Sequence, residues 1–93
     1  MTVVYAKCFE EYLLRIKDSS IRKQIGKSIE KLEFAGSLRE VTNIKAFIGY
    51  PGYYRLRSGD FRIGFYIENE TTVRLLIVDH RSKIYREFPK NFA

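Results

Sequence analysis

The sequence predicts an α+β fold in which a helical hairpin packs on one face of an antiparallel sheet. Apolar residues recur every three or four positions in the first third of the chain, as on one face of a helix. From residue 53 onward they alternate with polar residues, as in a half-buried strand. Because 93 residues can bury only one core, residues 1–93 are expected to form a single domain.

The N-terminal half is predicted to hold one short strand and two helices. Asp18 is a typical N-cap for the second helix, and Gly36 is a typical stop signal. A turn at residues 50–52 closes a connection that shows no periodicity. The predicted elements are a strand at 3–6, helices over about 9–16 and 21–32, and an irregular segment at 37–52.

The C-terminal half predicts three strands, at about 53–58, 61–68 and 72–79, followed by a short tail or helix from Ser82. Their short connections require antiparallel pairing. Gly59 at the first position of a two-residue loop fits a type II′ turn.

This turn places Arg57 directly opposite Arg62, on the face that the helices leave open. The alternation, continued into the last strand, pairs Ile63 with Ile77 and places Arg62 opposite Val78.

Two arginines opposite one another are unfavourable in a sheet, by up to about 1 kcal/mol. The core does not require such a pair, so its presence indicates an anionic ligand. Arg55 is predicted to lie on the same face. The chain leaves the last strand near this row, so we expect His80, Arg81 and Tyr85 close to it.

Composition limits the possible functions. There are 17 basic and 11 acidic side chains, a net charge of +6, which favours a polyanionic partner. The single cysteine excludes an internal disulfide and a cysteine-based zinc site. Asp60 and Asp79 are interpreted as turn and strand-end residues, so no metal or cofactor is expected. The sequence has no long apolar run and no signal-like start, which predicts a cytoplasmic protein without a membrane segment.

At residues 54–62, YRLRSGDFR, and 80–85, HRSKIY, the chain resembles the RelE/ParE superfamily of type II toxin–antitoxin toxins. The turn at 50–52, the two helices and the Phe88-Pro89 dipeptide fit the same pattern, so the resemblance covers essentially the whole chain. It implies a RelE-like fold and a metal-free endoribonuclease that cleaves messenger RNA in the A site of translating ribosomes. It also implies an acidic, RelB-like antitoxin that forms a hetero-oligomer with the toxin.

The resemblance also implies a set of site residues. Arg62 matches the arginine after the tight turn, Arg81 an arginine before the last element, and Tyr85 the C-terminal tyrosine. Arg55 occupies a commonly basic position, and His80 is the only side chain whose ordinary pKa lies near neutrality. The predicted catalytic residues are Arg62, Arg81, Tyr85, Arg55 and His80. The predicted RNA-binding residues are Arg57, Tyr53, Tyr66, Lys83 and Arg86.

The chain departs from the family at the strand before the turn. The best-known bacterial RelE branch has two lysines there, and this chain has Tyr53 and Arg55. Arginine does not lose its proton in proteins, so it cannot be the general base. The base is left open between Tyr85 and His80.

Two other functions fit the sequence. One is a ParE-like inhibitor of DNA gyrase without nuclease activity, and the other is a non-catalytic basic RNA-binding domain. When the chain is produced alone, cleavage of messenger RNA on translating ribosomes would indicate the nuclease, and a rise in the DNA-damage response would indicate the gyrase inhibitor. The tail from Ser82 is expected to be the least anchored part of the fold, and therefore the part that an antitoxin covers or displaces.

Overall fold

Five strands form one mixed sheet in the computed structural model, which describes residues 1–93. The strand order is β1-β5-β4-β3-β2; β1 runs parallel to β5, and the other neighbours are antiparallel. The elements are β1 Thr2–Tyr5, α1 Lys7–Leu14, α2 Ser19–Phe34, β2 Ile44–Ala46, β3 Tyr53–Ser58, β4 Phe61–Asn69 and β5 Thr72–His80, with 3₁₀ turns at Leu38–Glu40 and Ile84–Arg86. The α+β class and the helical hairpin on one sheet face are confirmed.

The β3–β4 hairpin has the predicted register. Arg57 pairs with Arg62 and Leu56 with Ile63. Gly59 has a φ of +60°, whereas Asp60 does not have a positive φ, as a type II′ turn requires. Leu56 and Ile63 are buried against the helices, so the two arginines lie on the opposite face.

The helices bury one apolar stripe each against the sheet. The Asp18 side chain caps α2 by accepting from the N–H groups of Ser20 and Ile21, at 2.8 and 3.2 Å. We call the resulting buried set the helix-side core: Phe9, Ile16, Ile25, Ile29, Leu32, Leu56, Ile63, Phe65, Val73, Leu75 and Val78. Neither helix is long and apolar enough to span a membrane.

Strand β2 was not predicted. The segment expected to be irregular contains residues Ile44–Ala46 paired with β3, so that part of the prediction is wrong. Three residues at a sheet edge are too few to show an alternating pattern, which is why the sequence gives no sign of them. The pairing places Lys45 opposite Arg55 and extends the basic row by one strand.

Strand β5 contains a bulge at Leu76. Phe65 pairs with Leu75, but the next residue of β4, Gly64, pairs with Ile77, which leaves Leu76 without a partner. The predicted pairs Ile63–Ile77 and Arg62–Val78 are therefore wrong, because one extra residue reverses the facing of everything beyond it. The observed partners are Val78 for Ile63 and Asp79 for Arg62.

The bulge turns Ile77 away from the helices and gives the tail, residues 81–93, an apolar seat. Ile77, Ile84 and Phe88 are at most 1% exposed and form a second buried group, the tail-side cluster. Gly64 makes room for it, because a Cβ there would lie 2.6 Å from Ile77 and 2.7 Å from Phe88. The expectation that the tail is the least anchored part is therefore wrong.

Helix α1 covers the open edge of β5 beyond the end of β1. The Cys8 thiol donates to the carbonyl of Leu76 at 3.1 Å, so the bulge residue keeps a hydrogen bond. One turn later, the Tyr12 hydroxyl donates to the carboxylate of Glu87 in the tail. The helix thereby links the edge of the sheet to the tail.

Candidate functional site

Arg62 is the most constrained cation of the sheet. It is only 9% exposed, and its Nη1 donates to the carbonyl oxygens of Gly59 and Phe61, at 2.9 and 3.0 Å. No carboxylate lies within 4 Å of it, since the only ion pairs join Arg74 to Glu68 and Arg81 to Asp60. No buried side-chain nitrogen or oxygen lacks a partner, so the unbonded nitrogens of Arg62 keep some access to solvent. The hairpin turn thus fixes one side of the guanidinium and leaves the other side available.

The other strand cations surround Arg62 in two cross-strand rows. Arg57 lies beside it and is exposed, and Asp79 is its partner on the other side. The Asp79 carboxylate accepts from the backbone N–H of His80 at 2.8 Å and makes no ion pair with Arg62. In the next row, half-buried Arg55 stands opposite exposed Lys45. Together these side chains form an unpaired basic face, Lys45, Arg55, Arg57 and Arg62.

Arg81 begins the tail beside the hairpin turn. Its backbone N–H donates to the carbonyl of Asp60 at 2.8 Å, which ties the start of the tail to the turn that orients Arg62. Its guanidinium lies 3.9 Å from the Asp60 carboxylate, and the two side chains are 63% and 73% exposed. A pair this exposed contributes little stability, so the side chain of Arg81 is free to meet a ligand.

Tyr85 lies in the 3₁₀ turn of the tail and is 44% exposed. Its ring packs edge-on against Phe47, with centroids 6.1 Å apart, and Phe47 in turn packs against Phe88. The tail-side cluster therefore holds the turn from beneath while the ring keeps an open side. Lys83 and Arg86, on either side of this turn, are exposed.

The two tyrosines assigned to RNA binding have different surroundings. The Tyr53 ring packs against Phe88, and its hydroxyl donates to the carbonyl of Phe92 at 3.0 Å. It therefore serves as part of the tail's seat. Tyr66 packs on Tyr53 at 4.8 Å and remains 36% exposed, so it is the one with a ring face near solvent.

His80 does not join the basic face. It pairs with Phe61, and the two rings meet edge-on at 5.5 Å on the helix side of the sheet. The expected proximity to Arg62 is wrong, because the bulge places Asp79 opposite Arg62 and turns His80 away. The Nδ1 of His80 accepts from the N–H of Ser82 at 3.1 Å and lies 2.8 Å from its hydroxyl, so the ring shapes the start of the tail.

Three residues that support this site were not predicted from the sequence: Lys45, Phe47 and Gly64. Lys45 and Phe47 lie in or next to the unpredicted β2, and Gly64 lacks a side chain that would mark it as functional. A glycine between buried apolar residues of a strand is a signal of close approach, which identifies Gly64 in retrospect.

The chain is similar to known toxins over most of its length. A family model described as the ParE toxin of a type II toxin–antitoxin system, parDE, matches residues 3–85. Toxin RelE3 of Methanocaldococcus jannaschii is 37% identical over 90 residues, which are 96% of this chain and 100% of that protein.

Solved structures show the same fold. In a RelB–RelE antitoxin–toxin complex from Methanococcus jannaschii, the matched chain is 37% identical and superposes with a TM-score of 0.75, over 92% of this chain and 99% of that one. In a RelE–RelB complex from Pyrococcus horikoshii OT3, the matched chain is 19% identical with a TM-score of 0.68, over 88% of this chain and 96% of that one.

Proposed function

Because the chain belongs to the RelE/ParE superfamily of type II toxin–antitoxin toxins, we propose that it cleaves messenger RNA in the ribosomal A site. The proposed reaction uses no metal or cofactor. The cleavage stops translation until a partner silences the toxin.

The burial of Arg62 and its lack of an ion pair are the main support for this proposal. A nearly buried cation with no carboxylate within 4 Å is costly, because burial removes much of its water and the nearest carboxylate across the strand, Asp79, makes no ion pair with it. A phosphate that approaches the free side of the guanidinium would supply the opposite charge. Arginine suits the task, since its planar fork matches the oxygens of a phosphate.

The reaction is a transfer within the RNA. The 2′-oxygen attacks the adjacent phosphorus, the bond from phosphorus to the 5′-oxygen breaks, and a cyclic phosphate and a 5′-hydroxyl result. Charge builds up on the phosphate oxygens, and the cations Arg62, Arg81 and Arg55 are assigned to stabilise it. Arg57, Lys83 and Arg86 are assigned to the RNA backbone on either side.

The proton transfers need groups other than arginine. A base must take the proton of the 2′-hydroxyl, and an acid must supply one to the departing 5′-oxygen. Tyr85 is assigned to one of these transfers because its ring is open to solvent and packs on Phe47, two residues along the chain from Lys45 of the basic face. His80 lies on the other side of the sheet. Lys45 is the one residue of the basic face that is not an arginine, so we assign it to the other proton transfer.

The partner is proposed from the relatives. Solved structures of M. jannaschii and P. horikoshii relatives are antitoxin–toxin complexes with RelB. We assign to this chain an acidic RelB-like antitoxin, whose charge would complement a net charge of +6.

The experiment compares RNA cleavage on translating ribosomes by the wild-type chain, Arg62→Ala and Arg39→Ala. Arg39 is exposed in the 3₁₀ turn Leu38–Glu40 and provides a control of equal charge loss. We expect a loss of about 100-fold or more for Arg62→Ala, as for removal of one transition-state donor, and no change for Arg39→Ala. New RNA ends are mapped, and the upstream fragment is expected to carry a cyclic phosphate.

Stability must be measured alongside, because Arg62 donates two hydrogen bonds and is not a solvent-facing side chain. The removal of Arg62 is therefore expected to lower stability as well as activity. Arg62→Lys keeps the charge but not the fork, so a folded, inactive lysine variant identifies the fork as the requirement. Equal cleavage by Arg62→Ala and wild type would refute the proposal.

Gyrase inhibition is the alternative function, because the matched family model is that of ParE toxins. Inhibition of DNA supercoiling by the purified chain, without RNA cleavage on ribosomes, would establish it. RNA that is bound and left uncut would indicate the non-catalytic binding domain.

A further inference from the structure

A second concave surface lies on the helix side of the sheet, where α1 and β5 end. It is a cavity of about 570 Å³. Its floor is apolar and is formed by Ile16, Ile21, Phe61 and Val78. None of the residues on this floor belongs to the basic face around Arg62.

The rim of this cavity is basic and unpaired. Arg15, Lys17 and Lys83 line it, are exposed, and have no carboxylate within 4 Å. Two carboxylates also line it, but both already accept backbone N–H groups. Asp18 caps α2, and Asp79 accepts from His80. Both carboxylates keep their negative charge, and the Arg15 guanidinium stacks over the Tyr12 ring at 4.7 Å, so the rim carries three cations against two carboxylates and is net basic.

We propose that this cavity receives a segment of the antitoxin in which acidic side chains flank one or two apolar ones. The inference rests on the proposed toxin–antitoxin function and deepens it by naming the docking site. The floor favours a peptide, because three of its four residues, Ile16, Ile21 and Val78, are aliphatic and fit apolar side chains, whereas RNA bases stack preferentially on aromatic rings. The rim supplies the charge complementarity that speeds association.

The position of the cavity determines what docking there does. Its floor lies across the sheet from Arg62, so an occupant leaves the basic face itself uncovered, although it reaches Asp79, the cross-strand partner of Arg62, and Lys83, which is assigned to the RNA backbone. The segment therefore anchors the antitoxin, and inhibition requires another part of that partner. The occupant would also touch Tyr12 and Lys83, the first of which holds the tail through Glu87.

The test reverses charge at the rim. Arg15→Glu/Lys17→Glu is compared with Lys27→Glu/Lys31→Glu, which makes the same charge change at exposed positions of α2 outside the cavity. Affinity for the co-expressed, purified cognate antitoxin is measured at 50 and 200 mM salt. We expect the rim variant to bind at least tenfold more weakly, with a smaller effect of salt, and the control to stay within about twofold.

RNA cleavage by each variant without antitoxin is measured in parallel and should match the wild type. Lys17→Glu alone, in the turn between the helices, replaces the double variant if melting shows that the latter is unfolded. Equal loss of affinity in rim and control variants, or none in either, overturns the docking site. Weaker RNA binding by the rim variant with unchanged antitoxin affinity also overturns it, in favour of RNA. Loss of antitoxin affinity in a chain that cleaves no RNA supports the site while the nuclease proposal fails.

Discussion

Replacement of Gly64 by alanine should release the tail while leaving most of the fold intact. The added methyl group would lie 2.6 Å from Ile77 and 2.7 Å from Phe88, about 1 Å inside ordinary carbon contact. Both neighbours are buried, so neither can swing into solvent without loss of its packing. Overpacking of this kind costs about 1–3 kcal/mol, and we expect about 2 kcal/mol here.

For a domain of this size, that loss lowers Tm by roughly 8–16 °C. Gly26→Ala is the matched control, because nothing lies within 4 Å of the added Cβ and alanine favours the helix by about 1 kcal/mol. Its Tm should rise. Thermal melting by circular dichroism measures both, and amide exchange of residues 84–92 should quicken only in Gly64→Ala. A Gly64→Ala variant that melts at or above wild type would refute the role of this glycine as the tail's seat.

Three further outcomes follow from single contacts. Burial first, and then the hydrogen bond to Glu87, raise the pKa of Tyr12 from 10.0 to about 12, so the folded chain holds this proton more tightly. The contribution of the Tyr12 hydroxyl to the free energy of unfolding is complete below pH 10 and is lost as the pH rises from 10 to about 12. The free energy of unfolding of Tyr12→Phe, measured over the same pH range, should not show this fall. Asp18→Ala removes the cap of α2 and should cost about 1 kcal/mol in urea unfolding, whereas Asp18→Asn should not. Arg81→Ala should change the unfolding free energy by less than about 1 kcal/mol yet abolish toxicity in cells, and a large fall in stability would contradict this.

Local chemistry explains which parts of the fold could be predicted from the sequence. The β3–β4 hairpin was predicted residue by residue, because Gly59 selects one turn type and the turn fixes the register. The helices were predicted because each buries an apolar stripe and Asp18 caps the second. In each case the determining residues lie within a few positions of one another.

Features that depend on distant contacts were missed. At the bulge, the carbonyl of Leu76 accepts from the Cys8 thiol of α1, a partner that lies far away in sequence. The seat of Phe88 depends on Gly64 and Ile77, which come together only after the bulge has turned Ile77 around. The same holds for the candidate site. The arginine face was predicted because it depends on the hairpin turn, whereas the position of His80 was not, because it depends on the bulge.

The parallel pairing of β1 with β5 joins the two ends of the sequence. Thr2 lies beside Thr72, so the first strand finds its neighbour only after about seventy further residues have been made. Pairings between such distant segments form slowly, since a long loop must close before any contact stabilises it. During synthesis, β1 and α1 therefore cannot pack on the sheet until β5 has been made. The seat of the tail forms later still. The order of the strands thus separates the site in time, because β2, β3 and β4, which carry the basic face, can pair before β5 exists, whereas the seat of the tail cannot form until β5 has been made.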